Sequence, residues 1–393
     1  MELKCIKCGE SYKLDSGFYQ CPKCEGQLKF LNSNPKFIHE KNRSGIWKYF
    51  KELPLINEEN IISLGEGSTP LIKCDREKEY QIWLKNETIN PTGTYKDRPA
   101  SVGVSKAKEL KADGVIVASD GNAAPAVAAY AARGNLKAVV LMPEATPSIN
   151  YLQTAALGAK VILVEGSIND CIDLAAEISN KGDLHNCSTT ISVNPYQVEG
   201  NKTIVFEILY QEKLDLDYIA VPVGGAGLLI GTARGILELE KFNLLNKTPG
   251  IIAVQTAVCS PFVRAFKEKS AIRKWEAEFK TKATKIALPY PPDGEIALEY
   301  LNKLDGRAVA VTEAEIIEAA GELAAGYGVL AEPSGAVSYA GLKKAYRNKI
   351  IDKNSKSLAF ITGSGLKTIQ DFKELDNEIF HVKNDYQEII GCI

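Results

Sequence analysis

The sequence predicts an α/β fold of two packed lobes with a small N-terminal zinc ribbon, and three observations carry that expectation. Apolar strand-like runs alternate with helical stretches along most of the chain, the pattern of parallel pairing with right-handed crossovers. The 393 residues exceed what one hydrophobic core usually organises. Four of the nine cysteines fall within the first 24 residues as two Cys-x-x-Cys pairs.

Taken in order, the first unit is residues 1–30. Cys5-Ile-Lys-Cys8 and, after twelve residues, Cys21-Pro-Lys-Cys24 present four thiolates at the corners of a tetrahedron, as a closed structural zinc site requires. So short a unit cannot bury a self-sufficient core, so metal binding would supply its folding energy, on the order of ten kcal/mol. A redox dithiol pair or an iron site shares this spacing. With cysteine at all four positions, no coordination site is left for catalysis by the metal.

Residues 31–60 read as a polar connector with Trp47, Tyr49 and Phe50 as packing anchors. Residues 64–72 read as a turn and strand, where Gly65 and Gly67 allow close backbone approach. After the strand 81–85 comes Asn90-Pro-Thr-Gly-Thr-Tyr-Lys96-Asp-Arg98, whose turn residues break the chain at a strand's end. Helix, strand and helix follow at 102–110, 114–118 and 123–133, the last ended by Gly134, then a strand at 138–142, a helix at 148–157 and a strand at 160–164.

Further on, 203–212 reads as a helix and 218–223 as a strand that runs into Gly224-Gly225-Ala226-Gly227 and a helix at 228–239. Strands are expected at 251–254, 308–311 and 357–361, and helices at 313–327 and 334–346. Three prolines make 289–294 a loop. The boundaries expected are 98–204 for the small lobe and 31–97 with 205–393 for the large one.

Forty-seven basic against 49 acidic residues leave no strong global field, so nucleic acid or an anionic membrane is not favoured as partner. No apolar run approaches the roughly 18 residues of a membrane helix, and Met1-Glu2-Leu3-Lys4-Cys5 does not look like the start of a secretory signal. A cytoplasmic protein is expected. Cys74, Cys171, Cys187, Cys259 and Cys392 read as buried or inert thiols. His39, His185 and His381 are far apart and read as structural.

Lys96, at a helix start facing a cleft, is a candidate Schiff-base lysine, since partial desolvation there disfavours the ammonium form. Gly224 to Gly227, between strand and helix, can hold a dianionic phosphate on backbone N–H groups and the helix dipole. The loop lacks both the dinucleotide and the P-loop spacings. Asn122 could serve as a helix N-cap.

The Asn90 to Arg98 motif, with Leu64-Gly-Glu-Gly-Ser-Thr-Pro70-Leu71, Ser119-Asp-Gly-Asn122, Asn194-Pro-Tyr-Gln-Val-Glu-Gly200, Gly224-Gly-Ala-Gly227 and Thr362-Gly-Ser-Gly365 in that order, resembles threonine synthases and related fold type II pyridoxal phosphate enzymes. The resemblance covers roughly residues 60–370 and implies a fold like the tryptophan synthase β-subunit. In it Lys96 forms the imine and moves the α-proton, Gly224, Gly225, Ala226 and Gly227 hold the cofactor phosphate, and Asn122 meets its 3′-oxygen. Thr362, with Ser364 as fallback, faces the pyridine nitrogen, which suits elimination and replacement rather than transamination. Some threonine synthases carry a similar ribbon, and a homodimer is usual.

Around the substrate the chain departs from the family. Ser119, Asp120, Ala123, Ser192 and Gln197 fall at expected substrate positions, but Ala123 and Asp120 stand where threonine is common, and Ile191 and Gln197 where asparagine and arginine are usual. These changes remove charge-assisted hydrogen bonds to a phosphate and point to an altered amino-acid substrate, unless Arg98 or another lysine supplies the anchor. The expected activity is a threonine synthase-like lyase. The alternatives are a serine or threonine dehydratase, a β-replacement synthase of an unusual amino acid, and a non-catalytic homologue that binds a partner through its ribbon.

Overall fold

The computed structural model describes residues 1–182, 184–212, 215–374 and Ile389; His381 and Cys392 lie outside them. At the N-terminus, β1 (Glu2–Cys5), β2 (Ser11–Lys13) and β3 (Leu28–Leu31) form an antiparallel sheet in the order β2-β1-β3. Its small core of Leu3, Leu14, Leu28 and Phe30 is closed by Tyr196 from the body of the protein. A 3-10 segment, Gly45–Glu52, then buries Trp47, Tyr49 and Phe50, which anchor the connector as expected.

Two sheets organise the rest. The larger has six strands, with β4 (Leu71–Lys73) and β5 (Gln81–Asn86) from early in the chain and β10 (Tyr218–Pro222), β11 (Gly250–Thr256), β12 (Arg307–Val311) and β13 (Lys356–Ile361) from late in it. Their order is β12-β11-β10-β13-β5-β4. All pairs are parallel except β4 with β5, so β4 is the antiparallel edge that mixed sheets often carry. The smaller sheet is parallel throughout, in the order β8-β7-β6-β9, from β6 (Gly114–Ala118), β7 (Lys137–Pro143), β8 (Lys160–Val164) and β9 (Leu184–Asn186).

Helices cover both sheets, as parallel strands with two apolar faces require. On the small sheet these are α1 (Asp97–Glu109), α2 (Ala123–Arg133), α3 (Ser148–Ala156) and α4 (Ile168–Lys181). On one face of the large sheet, α5 (Thr203–Gln211), α6 (Gly227–Lys241), α7 (Pro261–Glu268) and α8 (Gly294–Lys303) share a core with Ile219, Val221, Ile251 and Phe360. On the other, α9 (Glu313–Tyr327) and α10 (Pro333–Arg347) pack on Leu84, Ala220, Ile252 and Ile361. The C-terminal stop of α9 is Gly328, at φ 66°.

Because β5, β10 and β13 are adjacent and parallel, the chain leaves all three at one end of the sheet. The Lys96 loop follows β5, the glycine loop follows β10, and Thr362 follows β13 directly. Carboxyl ends of parallel strands are where open α/β sheets receive ligands. Among the described residues no helix is long and apolar enough to cross a membrane.

Candidate active site

The Lys96 loop is fastened to the end of β13. Tyr95 N–H donates to the Thr362 carbonyl (3.0 Å) and Ser364 N–H to the Gly93 carbonyl (2.8 Å). Gly93 sits at φ 79°, with Ser364 Cβ 3.3 Å from where its own Cβ would lie, so both conformation and space call for glycine. Lys96 is the N-cap residue of α1, half-buried, with Nζ 5.0 Å from the Tyr95 ring centroid. Among the described residues that amine has no hydrogen-bond or ion-pair partner. The next residue, Asp97, turns inward to accept from Thr92 Oγ1 (2.8 Å), and burial pushes its carboxyl up to about 7.

Arg98 points the other way. Fully buried, it donates to Glu87, Glu207, Thr69 and Thr203 at 2.6–3.2 Å, and Lys85 Nζ completes the cluster on Glu207 (2.8 Å). Burial alone would raise the Glu207 carboxyl, but Arg98 and Lys85 hold it down at about 2. The Arg98 guanidinium therefore ties α1 to the turn after β5 and to α5, and cannot be the substrate anchor the sequence left open.

Lys96 opens onto a cleft of ≈ 250 Å³ between the sheets. Gly224, Gly225, Ala226 and Gly227 form one wall, and among the described residues no protein acceptor takes their N–H groups. A Cβ on Gly224 would lie 3.2 Å from Ile286 Cα, and one on Gly227 3.2 Å from the Thr189 carbonyl oxygen. The left-handed residue of the four is Ala226, at φ 77°. Free donors at the start of α6, with no side chain in front of them, make a cradle that fits a phosphate.

Thr362, 5% exposed, lines the same cleft, and its hydroxyl has no protein partner among the described residues. Ser364 lies outside the cleft and its hydroxyl accepts from Leu366 N–H (3.3 Å), which favours Thr362 over the fallback. Asn122 opens α2 but makes no side-chain cap. Instead its Nδ2 donates to Glu332 Oε1 (2.7 Å).

Ser119, Asp120 and Ala123 also line the cleft, Asp120 as an exposed group. Ser192 and Gln197 do not, which corrects the expectation for both. Gln197 is 1% exposed, with Nε2 donating to the Cys187 carbonyl (3.0 Å) and also to that of Ser188. Ile191 is buried in the cluster that packs on one face of the large sheet, and Ser192 borders a separate hollow beside the ribbon. The 3-10 turn Gln197–Lys202 aims Gln197 at Gly103, whose Cβ position lies 2.6 Å from Gln197 Oε1.

Two cleft residues were missed. Glu332, 2% exposed, occupies the N-cap position of α10 just before Pro333 without a side-chain cap bond, and its Oε2 has no hydrogen-bond partner among the described residues. Burial pushes its carboxyl up, against the opposing charge of Lys285. A carboxylate ahead of a proline-started helix was a readable signal. Lys285, in the 3-10 turn Thr284–Ile286, follows Lys280 and Lys282 closely and stands out by no pattern.

In the ribbon, the sulfurs of Cys5, Cys8, Cys21 and Cys24 all lie within 4.8 Å of one another. Cys8 N–H donates to Cys5 Sγ (3.4 Å) and holds that thiol below its ordinary range. Four converging sulfurs with backbone donors fit a thiolate-bound metal. Cys74, Cys171, Cys187 and Cys259 are free and buried. His185 is buried against Tyr19, and His39 stacks on Tyr210 at 4.0 Å.

Residues 62–363 match the family model described as pyridoxal-phosphate dependent enzyme. The chain is 37% identical to threonine synthase of Methanocaldococcus jannaschii over 93% of this chain and 92% of that protein. It is 35% identical to threonine synthase of Methanosarcina acetivorans over 94% and 92%. The fold is shared with the processed form of threonine deaminase isoform 2 from Solanum lycopersicum, at TM-score 0.67 and 23% identity over 88% of this chain and 94% of that one.

Proposed function

The chain belongs to the pyridoxal-phosphate dependent enzyme family and, within it, to the threonine synthase group, and from that premise we propose an elimination or replacement reaction at the β- or γ-carbon of an amino acid. The observation that carries the proposal is one cleft holding the unpaired Lys96 amine, four unused N–H donors at Gly224 to Gly227 and the free Thr362 hydroxyl. Lys96 would hold the cofactor, Gly224 to Gly227 its phosphate, Thr362 its ring nitrogen and Asn122 its ring oxygen. When bound, the cofactor supplies an electron-withdrawing ring conjugated to the substrate nitrogen, with a hydroxyl rather than a carboxylate at the ring nitrogen.

The Lys96 amine then serves as the base that takes the proton from Cα and returns it. Ser119, directly after β6, and Asn122, at the start of α2, orient the substrate beside it. Closure of the two lobes around the cleft would exclude water during the reaction. A second reading, a serine or threonine dehydratase, is favoured by the position of Gln197 outside the cleft and by the fold shared with a threonine deaminase.

The holoenzyme is mixed with O-phosphohomoserine, serine, threonine and O-phosphoserine, and cofactor absorbance, released phosphate and keto acid are followed. Phosphate with threonine supports the synthase; keto acid from serine or threonine supports the dehydratase. No spectral response to any amino acid would sink both.

The four ribbon cysteines we take to hold zinc, as closed tetrahedral sulfur sites do. The resemblance also supports a homodimer in a reducing cytoplasm, and units of 1–30, 98–204, and 31–97 with 205–393.

A further inference from the structure

We propose that Lys285 receives the anionic end of the substrate's side chain and sets the preference for such substrates; this rests on the amino-acid reaction above. Among the described residues lining the cleft, the cations are Lys96 and Lys285. Lys96 is committed to the cofactor. Arg98 is locked between Glu87 and Glu207, and Gln197, at the family's arginine position, faces away. Lys367 lines a small adjoining hollow, but its Nζ donates to the Thr92 carbonyl (3.1 Å).

Lys285, by contrast, is placed and unspent. Its backbone N–H donates to Ser334 Oγ (3.1 Å) at the start of α10, and its carbonyl oxygen lies 3.3 Å from the Cβ position of Gly224. The segment thus packs directly against the glycine loop and lines the cleft beside it. The side-chain stem runs along the Ser119 to Asn122 turn, with Cδ 3.1 Å and Nζ 4.0 Å from the Cβ position of Gly121. The half-buried ammonium has no hydrogen-bond or ion-pair partner among the described residues.

Two carboxyl groups share the cleft, and neither forms an ion pair with Lys285, although its charge acts on the buried carboxyl of Glu332. Glu332 Oε1 accepts from Asn122 and makes no ion pair with Lys285. Asp120 is exposed, where solvent and salt screen it. A half-buried lysine of this kind gains most from a ligand that brings its own negative charge, because the pair is then formed away from bulk water. Lys285 is therefore a cationic contact in the cleft, although the expected asparagine and arginine are missing.

The test uses holoenzyme titrated with O-phosphohomoserine, glutamate and threonine, with half-saturation read from the cofactor absorbance. Wild type prefers an anionic side chain over threonine, and the O-phosphohomoserine and glutamate arms show whether phosphate or carboxylate is the better fit. In Lys285→Gln that preference, taken as a ratio of half-saturations, falls roughly 10- to 100-fold, the size of one charge-assisted hydrogen bond, while Lys285→Arg keeps most of it. Inorganic phosphate competes with wild type and much less with Lys285→Gln. An unchanged ratio in a Lys285→Gln protein that retains its cofactor band overturns the assignment, as does a wild type that prefers threonine. A wild type with a cofactor band but no response to any amino acid overturns the underlying reaction as well.

Discussion

Replacing Arg98 by methionine tests whether the arginine beside the lysine is structural. The change removes the cation shared by two buried carboxylates, leaving Glu87 with only Thr69 and Asn90, and Glu207 with Lys85 and the Ser68 N–H. Breaking one side of a buried ion cluster costs about 3–5 kcal/mol, because an uncompensated charge stays behind. At about 2.1 cal/mol/K of unfolding entropy per residue, a chain this long loses roughly 4–6 °C in Tm. The Glu207 carboxylate, held at about 2, contributes its stability in full above its ordinary range and loses it only as pH falls toward 2. Melting at pH 8, read by near-ultraviolet circular dichroism, therefore captures the whole effect. Arg98→Met with Glu87→Gln should recover part of the loss, because the stranded charge is gone. An unchanged Tm together with a raised KM for an anionic substrate would refute the argument and put Arg98 in the cleft.

Asp293 offers a pH test. It is buried, accepts from Ile191 N–H (3.0 Å), and faces Arg234 and Lys96, and burial pushes its carboxyl up to about 7. A raised carboxyl gives stability that is complete below the unfolded value near 3.8 and is lost as pH rises through about 7, a span worth roughly 4 kcal/mol. The Tm advantage of wild type over Asp293→Asn should therefore shrink between pH 5 and pH 8, and a constant difference would contradict the assignment. Gly224→Ala crowds Ile286 Cα at 3.2 Å and should weaken cofactor retention on the order of ten-fold with little change in the apoprotein melt, as measured by dialysis and absorbance. Wild type is expected to carry zinc by atomic absorption, and Cys8→Ser to lose it and to expose the ribbon to proteolysis. Equal metal content in the two proteins would argue against the four-sulfur site.

Much of this architecture was legible because most of the parallel strands are nearly continuous apolar runs bounded by turn residues. The runs at 114–118, 160–164 and 357–361 sit where β6, β8 and β13 form. β9, by contrast, is Leu184-His-Asn186, three residues whose polar side chains are buried by tertiary contacts that no local pattern shows. α4, α7 and α8 were also unread; α7 is only eight residues long. Lys96, Asn122, Gly224 to Gly227 and Thr362 line one cleft, a convergence the sequence could suggest because each follows a strand or its turn. Ser192 and Gln197 were misplaced because the facing of irregular backbone depends on the turn that ends it. Glu332 and Lys285 come from separate segments of the large lobe, and they meet Asn122 only once the two lobes are packed.

The central claim is that Lys96 carries the cofactor. The most direct measurement is borohydride reduction of the cofactor-loaded protein, followed by peptide mass spectrometry, with Lys96→Ala in parallel. The account predicts a reduced adduct on the peptide containing Lys96, and a visible-edge absorbance band that is absent from Lys96→Ala. An adduct on Lys285 or Lys367 instead, or an unchanged band in Lys96→Ala, would contradict it.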